Sequence, residues 1–97
     1  MAKGYWVTFY RSVSNPSALA AYAKLAGPAI EAGGGRFVVR GMPARAFEAG
    51  LNQRTVVIEF DSVEKAIATY EGPSYQEAEK LLEGAVERDV RMVEGLA

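Results

Sequence analysis

The stretch TVVIEF at residues 55–60 has the composition of a buried β-strand, yet it carries a carboxylate one residue before its end. β-Branched and aromatic residues favour strands, and successive side chains of a strand point to opposite faces of its sheet. The even-numbered residues therefore form one apolar row, whereas Glu59 lies on the opposite face. Because an isolated charge is costly to bury, Glu59 is expected to face water, pair with a cation or contact a ligand.

Further strand patterns occur on both sides of this stretch. Aromatic and β-branched runs bounded by glycine, proline and polar residues predict strands. They lie at residues 4–10, 36–40, 54–60 and 89–94, with an additional short strand at 44–48. Residues 50–53 then predict the turn that leads the chain back into the strand at 54–60.

Three helices are predicted between these strands. The pair Asn15-Pro16 is typical of a helix start, Ser62 provides a second N-cap, and the sequence SYQE at residues 74–77 fits a capping box. Each helix has an apolar stripe at helical spacing. The stripes are Leu19, Tyr22, Ala23, Ala26 and Ile30, then Val63, Ala66, Ile67 and Tyr70, then Tyr75, Ala78, Leu82 and Ala85.

Glycine and proline residues mark where the helices are expected to kink or end. Pro28, which follows Gly27, cannot donate a hydrogen bond to the preceding turn, so a kink or a break is expected there. The three glycines at 33–35 predict the end of the first helix, and the Gly72-Pro73 pair separates the second helix from the third. The order β-α-β-β-α-(α)-β predicts an α+β fold of the ferredoxin-like split βαβ type. Its four-stranded antiparallel sheet carries helices on one face only, within one domain over residues 1–97.

Alternation along the strands predicts two different sheet faces. The first is apolar and is expected to lie under the helices: Val7, Phe9, Phe37, Val39, Val56, Ile58, Phe60, Val90 and Met92. The second mixes aromatic, aliphatic and charged residues: Trp6, Thr8, Tyr10, Val38, Arg40, Thr55, Val57, Glu59, Arg91 and Val93. Because so large an apolar patch is unusual on a monomer, the second face predicts a homodimer that packs sheet against sheet.

The role of Glu59 has two interpretations on this second face. The first is a structural ion pair, with Arg40 or Arg91 as the available cation, or a hydrogen bond to a neighbouring tyrosine. The second is a carboxylate that contacts a ligand or transfers a proton. A two- or four-residue turn would place Glu48 opposite Thr55, on the same face as Glu59. A two-carboxylate mechanism is nevertheless disfavoured, because the four residues from Thr55 to Glu59 span about 13 Å, whereas paired glycosidase carboxylates lie about 5–9.5 Å apart.

Composition excludes several classes of function. The 97 residues include no His and no Cys, which excludes a Ser-His-Asp triad, a Cys-His pair, a zinc finger and His-ligated haem within the chain. A carboxylate-only Mg²⁺ or Ca²⁺ site remains open, but no DxDxDG loop or acidic cluster indicates one, so no metal and no cofactor are expected. A net charge of −1 gives no reason to expect nucleic acid or an anionic membrane as a partner, and no apolar run approaches a span of about 20 residues. The absence of cysteine and of a secretory signal pattern predicts a cytoplasmic protein.

Most of the chain resembles a known family. The segments GYWV, GGRFVVRG, RTVVIEFDSVEKAIATYEGPSYQEAEKL and the final VEG are similar to domain-of-unknown-function family 1330, in the dimeric α/β-barrel superfamily. The resemblance implies two ferredoxin-like subunits packed sheet to sheet, and it implies no specific activity. Other branches of that superfamily include cofactor-free monooxygenases, lactone isomerases and haem enzymes. The positions that match the family pattern are Tyr22, Gly34, Gly35, Glu48, Arg54, Glu59, Phe60, Ser74 and Tyr75.

Three residues depart from the family pattern. Asp61 stands where proline is common, and Ala49 stands where glycine usually follows the glutamate. Glu83 stands where arginine is common, and this reversal of charge argues against an anion site in the cleft.

Two functions remain open from the sequence. The first is a small-molecule-binding protein or cofactor-free enzyme, with a pocket between the sheet and the helices or between two sheets. The second is a non-catalytic domain whose sheet face serves only dimerisation. The candidate pocket residues are Trp6, Tyr10, Tyr22, Glu48, Arg54, Glu59 and Tyr75. Buried tyrosines are more often core residues with a satisfied hydroxyl than catalysts. Trp6 is better placed than Tyr22, Tyr75 or Arg54 to stack on an apolar ligand, although a tryptophan packed in an interface is the commoner case.

Overall fold

A computed structural model describes residues 2–97 as one antiparallel sheet covered on one face by helices. The elements are β1 (Gly4–Val13), α1 (Pro16–Ala32), β2 (Arg36–Gly41), β3 (Thr55–Phe60), α2 (Val63–Glu71), α3 (Pro73–Glu79), a 3₁₀ turn (Lys80–Leu82) and β4 (Val86–Glu94). The strand order is β2-β3-β1-β4. This arrangement confirms the ferredoxin-like α+β fold. None of the helices within residues 2–97 combines the length and apolar composition that a membrane crossing needs.

The predicted helix caps form at two of the three helix starts. The Asn15 side chain accepts a hydrogen bond from the Ala18 amide at 3.1 Å, and the Ser62 hydroxyl accepts one from the Lys65 amide at 3.2 Å. Each satisfies an amide that has no partner within its helix. At the end of α1, Gly34 has a φ of 96°, a left-handed conformation that glycine adopts without strain.

Helix α1 does not break at its proline. Pro28 lies inside a helix that continues to Ala32. The buried residues Tyr22, Ala26 and Ile30 lie before and after Pro28 on one stripe. Their shared burial holds both halves of the helix together, and this outweighs the single hydrogen bond that proline removes.

The third helix begins and ends earlier than predicted. It starts at Pro73 with Gly72 as its N-cap, and Ser74 caps nothing, because proline is already preorganised for the first helical position. Ala85 is buried but lies beyond the helix, directly before β4. The chain is extended again from Val86, three residues before the predicted strand start.

The short strand predicted at 44–48 does not form. Residues 42–54 connect β2 to β3 as an irregular loop. Glu48 has a φ of 53° there, which is incompatible with a strand, and Pro43 has no amide for a ladder. The predicted pairing of Glu48 opposite Thr55 is therefore wrong.

The predicted faces of β1 and of part of β2 are inverted. Trp6 pairs with Ile58 across the β1–β3 ladder, so Trp6, Thr8 and Tyr10 lie on the helix side. In β2 the register shifts between Phe37 and Val39, and this bulge changes the face of every later residue. The corrected positions are Trp6, Thr8, Tyr10 and Arg40 under the helices, Val7, Phe9 and Val39 on the opposite face, and Val38 exposed in the bulge.

An aromatic cluster forms the centre of the core. The Trp6 ring stacks on Phe60 with centroids 6.4 Å apart and meets the edge of Tyr75 at 4.7 Å. Both Trp6 and Tyr75 are almost completely buried, at 1% and 0% exposure. Such edge-to-face pairs add to the free energy gained by burying their area, so these rings fix the packing of β1 against α3.

The opposite side of the sheet, called the free sheet face below, has no helix over it. Its side chains form cross-strand rows that the ladders define. The rows are Arg36, Glu59, Tyr5 and Val93, then Val39, Val57, Val7 and Arg91, then Thr55, Phe9 and Asp89. The middle row places three valines side by side at the centre of the sheet.

Candidate functional site

A cavity of about 230 Å³ lies between the helix side of the sheet and α1. It exists because α1 presents small residues there: Ala23, Ala26 and Gly27 line it. A Cβ atom added at Gly27 would meet no atom within 4 Å. Trp6 and Ile58 from the sheet form part of the apolar wall, so the cavity combines an apolar body with the polar groups described next.

One end of the cavity is polar and centres on Arg88. Its Nη1 donates to the Tyr22 hydroxyl at 3.3 Å, and its Nη2 donates to the Tyr75 hydroxyl at 3.1 Å. The two hydroxyls are themselves hydrogen-bonded at 2.7 Å. Strand β4 supplies Arg88, which pairs with Tyr10 of β1, while α1 and α3 supply the tyrosines.

Both tyrosines of this cluster are neutral at physiological pH. Burial raises the pKa of Tyr22, even though the hydrogen bonds from Tyr75 and Arg88 act to lower it. Burial also raises the pKa of Tyr75, and the neighbouring Tyr22 adds to the effect. For Arg88, burial acts to lower the pKa, but the Tyr75 and Tyr22 oxygens outweigh it and leave the pKa raised. The cluster therefore carries a full positive charge.

Two further arginines reach the cavity. Arg54, directly before β3, lines it, and the Arg54 Nε is buried without a hydrogen-bond partner within residues 2–97. The Arg54 guanidinium lies 5.9 Å from the Tyr10 ring centroid, and that of Arg88 lies 5.7 Å from the same centroid. Arg40 is exposed and covers the Phe37 ring at 4.8 Å.

Glu59 lies on the free sheet face and not in the cavity. Its Oε1 accepts from the Arg36 Nη2 at 2.9 Å, and its Oε2 accepts from the Tyr5 hydroxyl at 3.0 Å. Glu59 thus has an ion pair and a tyrosine hydrogen bond, as the first interpretation expected. The cation is Arg36, because Arg40 lies on the helix side and Arg91 pairs with Asp89 at 2.7 Å.

The ion pair of Glu59 predicts a specific pH dependence of stability. Hydrogen bonds from Arg36, then from Tyr5, lower the pKa of Glu59 from its ordinary 4.5. A carboxyl with a lowered folded-state pKa stabilises the fold above its unfolded pKa, and this contribution is lost as pH falls through the folded value. Wild type should therefore be more stable than Glu59→Gln at pH 7, and the difference between their free energies of unfolding should vanish in acid. Urea unfolding at several pH values measures this difference.

The control for this prediction is Glu31→Gln. Glu31 is exposed on α1 and forms none of the ion pairs within residues 2–97. Its substitution should leave the pH profile unchanged. A Glu59→Gln protein whose stability difference from wild type is the same at pH 3 and pH 7 would contradict the prediction.

The structure brings together some of the predicted pocket residues and separates others. Trp6, Tyr10, Tyr22 and Arg54 line the cavity, and Tyr75 adjoins it through its bond to Tyr22. Glu48 is exposed in the loop after β2, and Glu59 lies on the other side of the sheet.

The sequence interpretation missed Arg88 and misplaced Glu83. Arg88 is two and four residues before Val90 and Met92, which the same alternation placed under the helices. A strand extended back to Val86 would have included Arg88 on that face. Glu83 is exposed and does not line the cavity, so its charge gives no argument against an anion there. Within residues 2–97, no group of three or more acidic or other metal-ligating side chains is placed to hold a metal ion.

Comparison with known proteins identifies a family and a fold. The family model described as "Domain of unknown function (DUF1330)" matches residues 3–96. A search of the curated proteins finds no significant match. Among solved structures, a protein of unknown function from Rhodopseudomonas palustris is 21% identical, with a TM-score of 0.73 over 99% of this chain and 84% of that one.

Two other solved structures are similar at lower identity. A dimeric ferredoxin-like protein of unknown function from Thermobifida fusca is 14% identical, with a TM-score of 0.65 over 96% of this chain and 91% of that one. SnoaB from Streptomyces nogalater, a cofactor-independent oxygenase, is 10% identical, with a TM-score of 0.67 over 100% of this chain and 96% of that one. At these identities the likeness extends to the fold alone.

Proposed function

The chain belongs to the DUF1330 family, whose description states no function, and from this premise we propose that it is a small-molecule-binding protein. Its binding site is the cavity between the sheet and α1. The observation that carries the proposal is the cavity itself, which combines apolar walls with a few polar groups at one end. That combination is typical of ligand sites.

A domain that served only dimerisation would not need this cavity. The free sheet face is the surface available for dimerisation, and it lies on the opposite side of the sheet. If the helix side of the sheet served only stability, side chains would fill the space under α1, because each void in a core costs free energy. The cavity therefore favours ligand binding over the purely structural alternative.

Binding is also favoured over catalysis by proton abstraction. A general base needs a pKa near the working pH. Among the described residues that line the cavity there is no Asp, Glu or His, and the Tyr22 hydroxyl is kept protonated by its raised pKa. A cofactor-free reaction here would depend on a substrate that supplies its own base.

The proposal includes a homodimer formed through the free sheet face. Similar structures are described as dimeric, and the row of Val39, Val57 and Val7 supplies an apolar centre for the interface. A small chain also gains buried area by pairing. One domain over residues 1–97 and a cytosolic location, which the absence of cysteine favours, belong to the same proposal.

Ligand binding can be tested with a matched pair of variants at Gly27. Gly27→Ala should leave the cavity open, because the added Cβ meets no atom beyond its chain neighbours. The gain in helix propensity over glycine is opposed by Pro28, which disfavours a helical residue with a Cβ directly before it. Gly27→Leu has similar helix propensity but extends a larger side chain from the cavity wall. A library of neutral, cationic and anionic fragments is screened by the fluorescence of Trp6, which is the one tryptophan of the chain and lines the cavity.

The expected result is that fragments bind to wild type and to Gly27→Ala but not to Gly27→Leu. Urea unfolding establishes that both variants are folded. If no fragment of any charge class binds to wild type, the proposal is wrong and the domain serves another role. Binding that survives in Gly27→Leu would place the site elsewhere.

A further inference from the structure

We propose that the cavity takes a compact organic anion, whose oxyanion head is held by Arg54 and Arg88 and whose apolar body packs against Trp6 and Ile58. This inference rests on the proposed function and names its ligand class. The shared chemistry is a carboxylate or phosphate group attached to an apolar ring or short chain.

The positive charge around the cavity has no acidic partner among the described residues. Arg40, Arg54 and Arg88 line it, and no acidic residue does. Within residues 2–97 none of the three has a carboxylate within ion-pair distance. The whole chain is slightly acidic, with 12 acidic against 11 basic residues. Glu79 and Glu83 line a neighbouring pocket that shares Arg88, but neither lines the cavity or forms an ion pair with Arg88. The lining of the cavity therefore has a local positive charge that attracts anions.

The arginines on the other side of the sheet show the contrast. Arg36 pairs with Glu59 at 2.9 Å, and Arg91 and Arg11 both pair with Asp89, at 2.7 and 3.1 Å. These three arginines of the free sheet face thus have carboxylate partners, whereas the three arginines that line the cavity have none within residues 2–97. A guanidinium without a partner is the feature that a bound carboxylate or phosphate would complete.

Arg54 has a hydrogen-bond donor without an acceptor in the described part of the chain. Its Nε is buried and has no partner within residues 2–97, a state that is rare for buried polar atoms. Arg54 and Arg88 also lie beside the same Tyr10 ring, both within 6 Å of its centroid. Two cations held next to one ring repel each other, and an oxyanion that contacts both guanidinium groups would offset this repulsion and supply an acceptor to Arg54.

The hydroxyl groups of Tyr22 and Tyr75 have one hydrogen more than their mutual hydrogen bond uses. Arg88 donates to both the Tyr22 and the Tyr75 oxygens, and only one hydroxyl hydrogen is used between the two tyrosines. The other hydrogen is left to donate elsewhere. Tyr22 lines the cavity, so when Tyr75 donates to Tyr22, the remaining hydrogen belongs to the cavity side. In that arrangement the Tyr22 hydroxyl donates into the cavity, and with the remaining N–H groups of Arg54 and Arg88 it suits a ligand rich in acceptors.

The size and walls of the cavity define the rest of the ligand. Its volume of about 230 Å³ is below the ~300–1,000 Å³ of sites for drug-sized molecules. Trp6, Ile30, Phe37 and Ile58 line it and offer apolar contact next to the charged end. A single ring or a short branched chain with one anionic group fits this combination.

The test uses four probes of similar size: benzoate, phenyl phosphate, neutral benzamide and cationic benzylamine. Affinities are measured by Trp6 fluorescence and calorimetry at fixed ionic strength, with acetate and inorganic phosphate as head groups without a ring. At least one ring-bearing anion should bind at least about tenfold more tightly than benzamide, the change that one charge-assisted hydrogen bond brings. It should also bind more tightly than its ring-free head group. Benzoate and phenyl phosphate distinguish the two head groups.

Arg54→Met is the decisive variant. Since Arg54 has no ion pair or satisfied Nε to lose, the variant should remain folded with an unchanged or higher melting temperature. It should lose the preference for the anion over benzamide. Arg88→Met should also lose this preference, with a lower melting temperature because its hydrogen bonds to Tyr22 and Tyr75 are lost. Arg45→Met is the control because Arg45 is exposed and does not line the cavity.

The outcomes separate this inference from the proposed function. If benzamide or benzylamine binds as tightly as the anions, or if Arg54→Met keeps the preference, the ligand class is wrong. If fragments bind in the cavity but only neutral or cationic ones do, the proposed function stands and this inference fails. If nothing binds in any charge class, both fail.

Discussion

Val57→Lys should convert the proposed homodimer into a monomer at micromolar concentration. Val57 lies between Val39 and Val7 in the central row of the free sheet face. Packing a second sheet on this row would bury the new ammonium without a partner, which costs about 3–5 kcal/mol for an uncompensated charge. Because a two-fold dimer contains the substitution twice, the dissociation constant should rise by at least about 100-fold. Sedimentation equilibrium over a range of concentrations measures this change.

The matched control places the same charge on the helix layer. Leu25 is 52% exposed on α1, so Leu25→Lys should leave the dimer intact. Circular dichroism of both variants separates dissociation from unfolding. A wild-type protein that is monomeric at micromolar concentration, or a Val57→Lys protein that remains dimeric, would contradict an interface at the free sheet face.

The order and type of the elements follow from local patterns in the sequence. The alternation of Val56, Ile58 and Phe60 with polar or outward residues defines β3, and the Asn15 and Ser62 caps start the first two helices. These signals act within a few residues and depend little on tertiary context. They were sufficient for the βαββαβ order and hence for the fold.

The face of β1 could not be assigned by the same reasoning. Both of its alternating rows are apolar or aromatic, since Trp6 and Tyr10 alternate with Val7 and Phe9. Alternation separates the rows but does not say which row meets the helices. The pairing of Trp6 with Ile58 decides it, and that pairing is a property of the assembled sheet. In β2 the bulge after Phe37 is likewise invisible to a strict period of two.

The residues of the candidate site could be predicted only in part, because alternation does not show which face of β1 lies under the helices. Tyr22 and Arg54 were identified from the family pattern, and Trp6 and Tyr10 were identified as aromatic residues of one row. These residues come together in the cavity under α1 and not at an interface between two sheets, because the row of Trp6 and Tyr10 faces α1. Arg88 was missed because the strand was predicted to begin after it. Glu59 is paired with Arg36 on the opposite side of the sheet from the cavity.

Trp6→Ala should lower the free energy of unfolding by about 3–5 kcal/mol, the range for truncating a buried large aromatic residue. Trp6 is 1% exposed and contacts Phe60, Tyr70 and Tyr75 through its ring. Total stabilities of natural domains are about 5–15 kcal/mol, so the loss approaches the whole for a small domain. Urea unfolding followed by far-ultraviolet circular dichroism measures it, because the variant has no tryptophan fluorescence.

Phe9→Ala is the control that distinguishes the two faces of β1. Phe9 lies on the free sheet face, next to Thr55 and Asp89 in the ladders, and its ring is only partly buried. Truncating it should mainly weaken association, so its effect on unfolding should depend on protein concentration. The loss caused by Trp6→Ala should be present even at concentrations where the chains are separate, because the core contacts of Trp6 are made within one subunit. If Trp6→Ala changed only the association of subunits, Trp6 would belong to the interface that alternation alone had suggested.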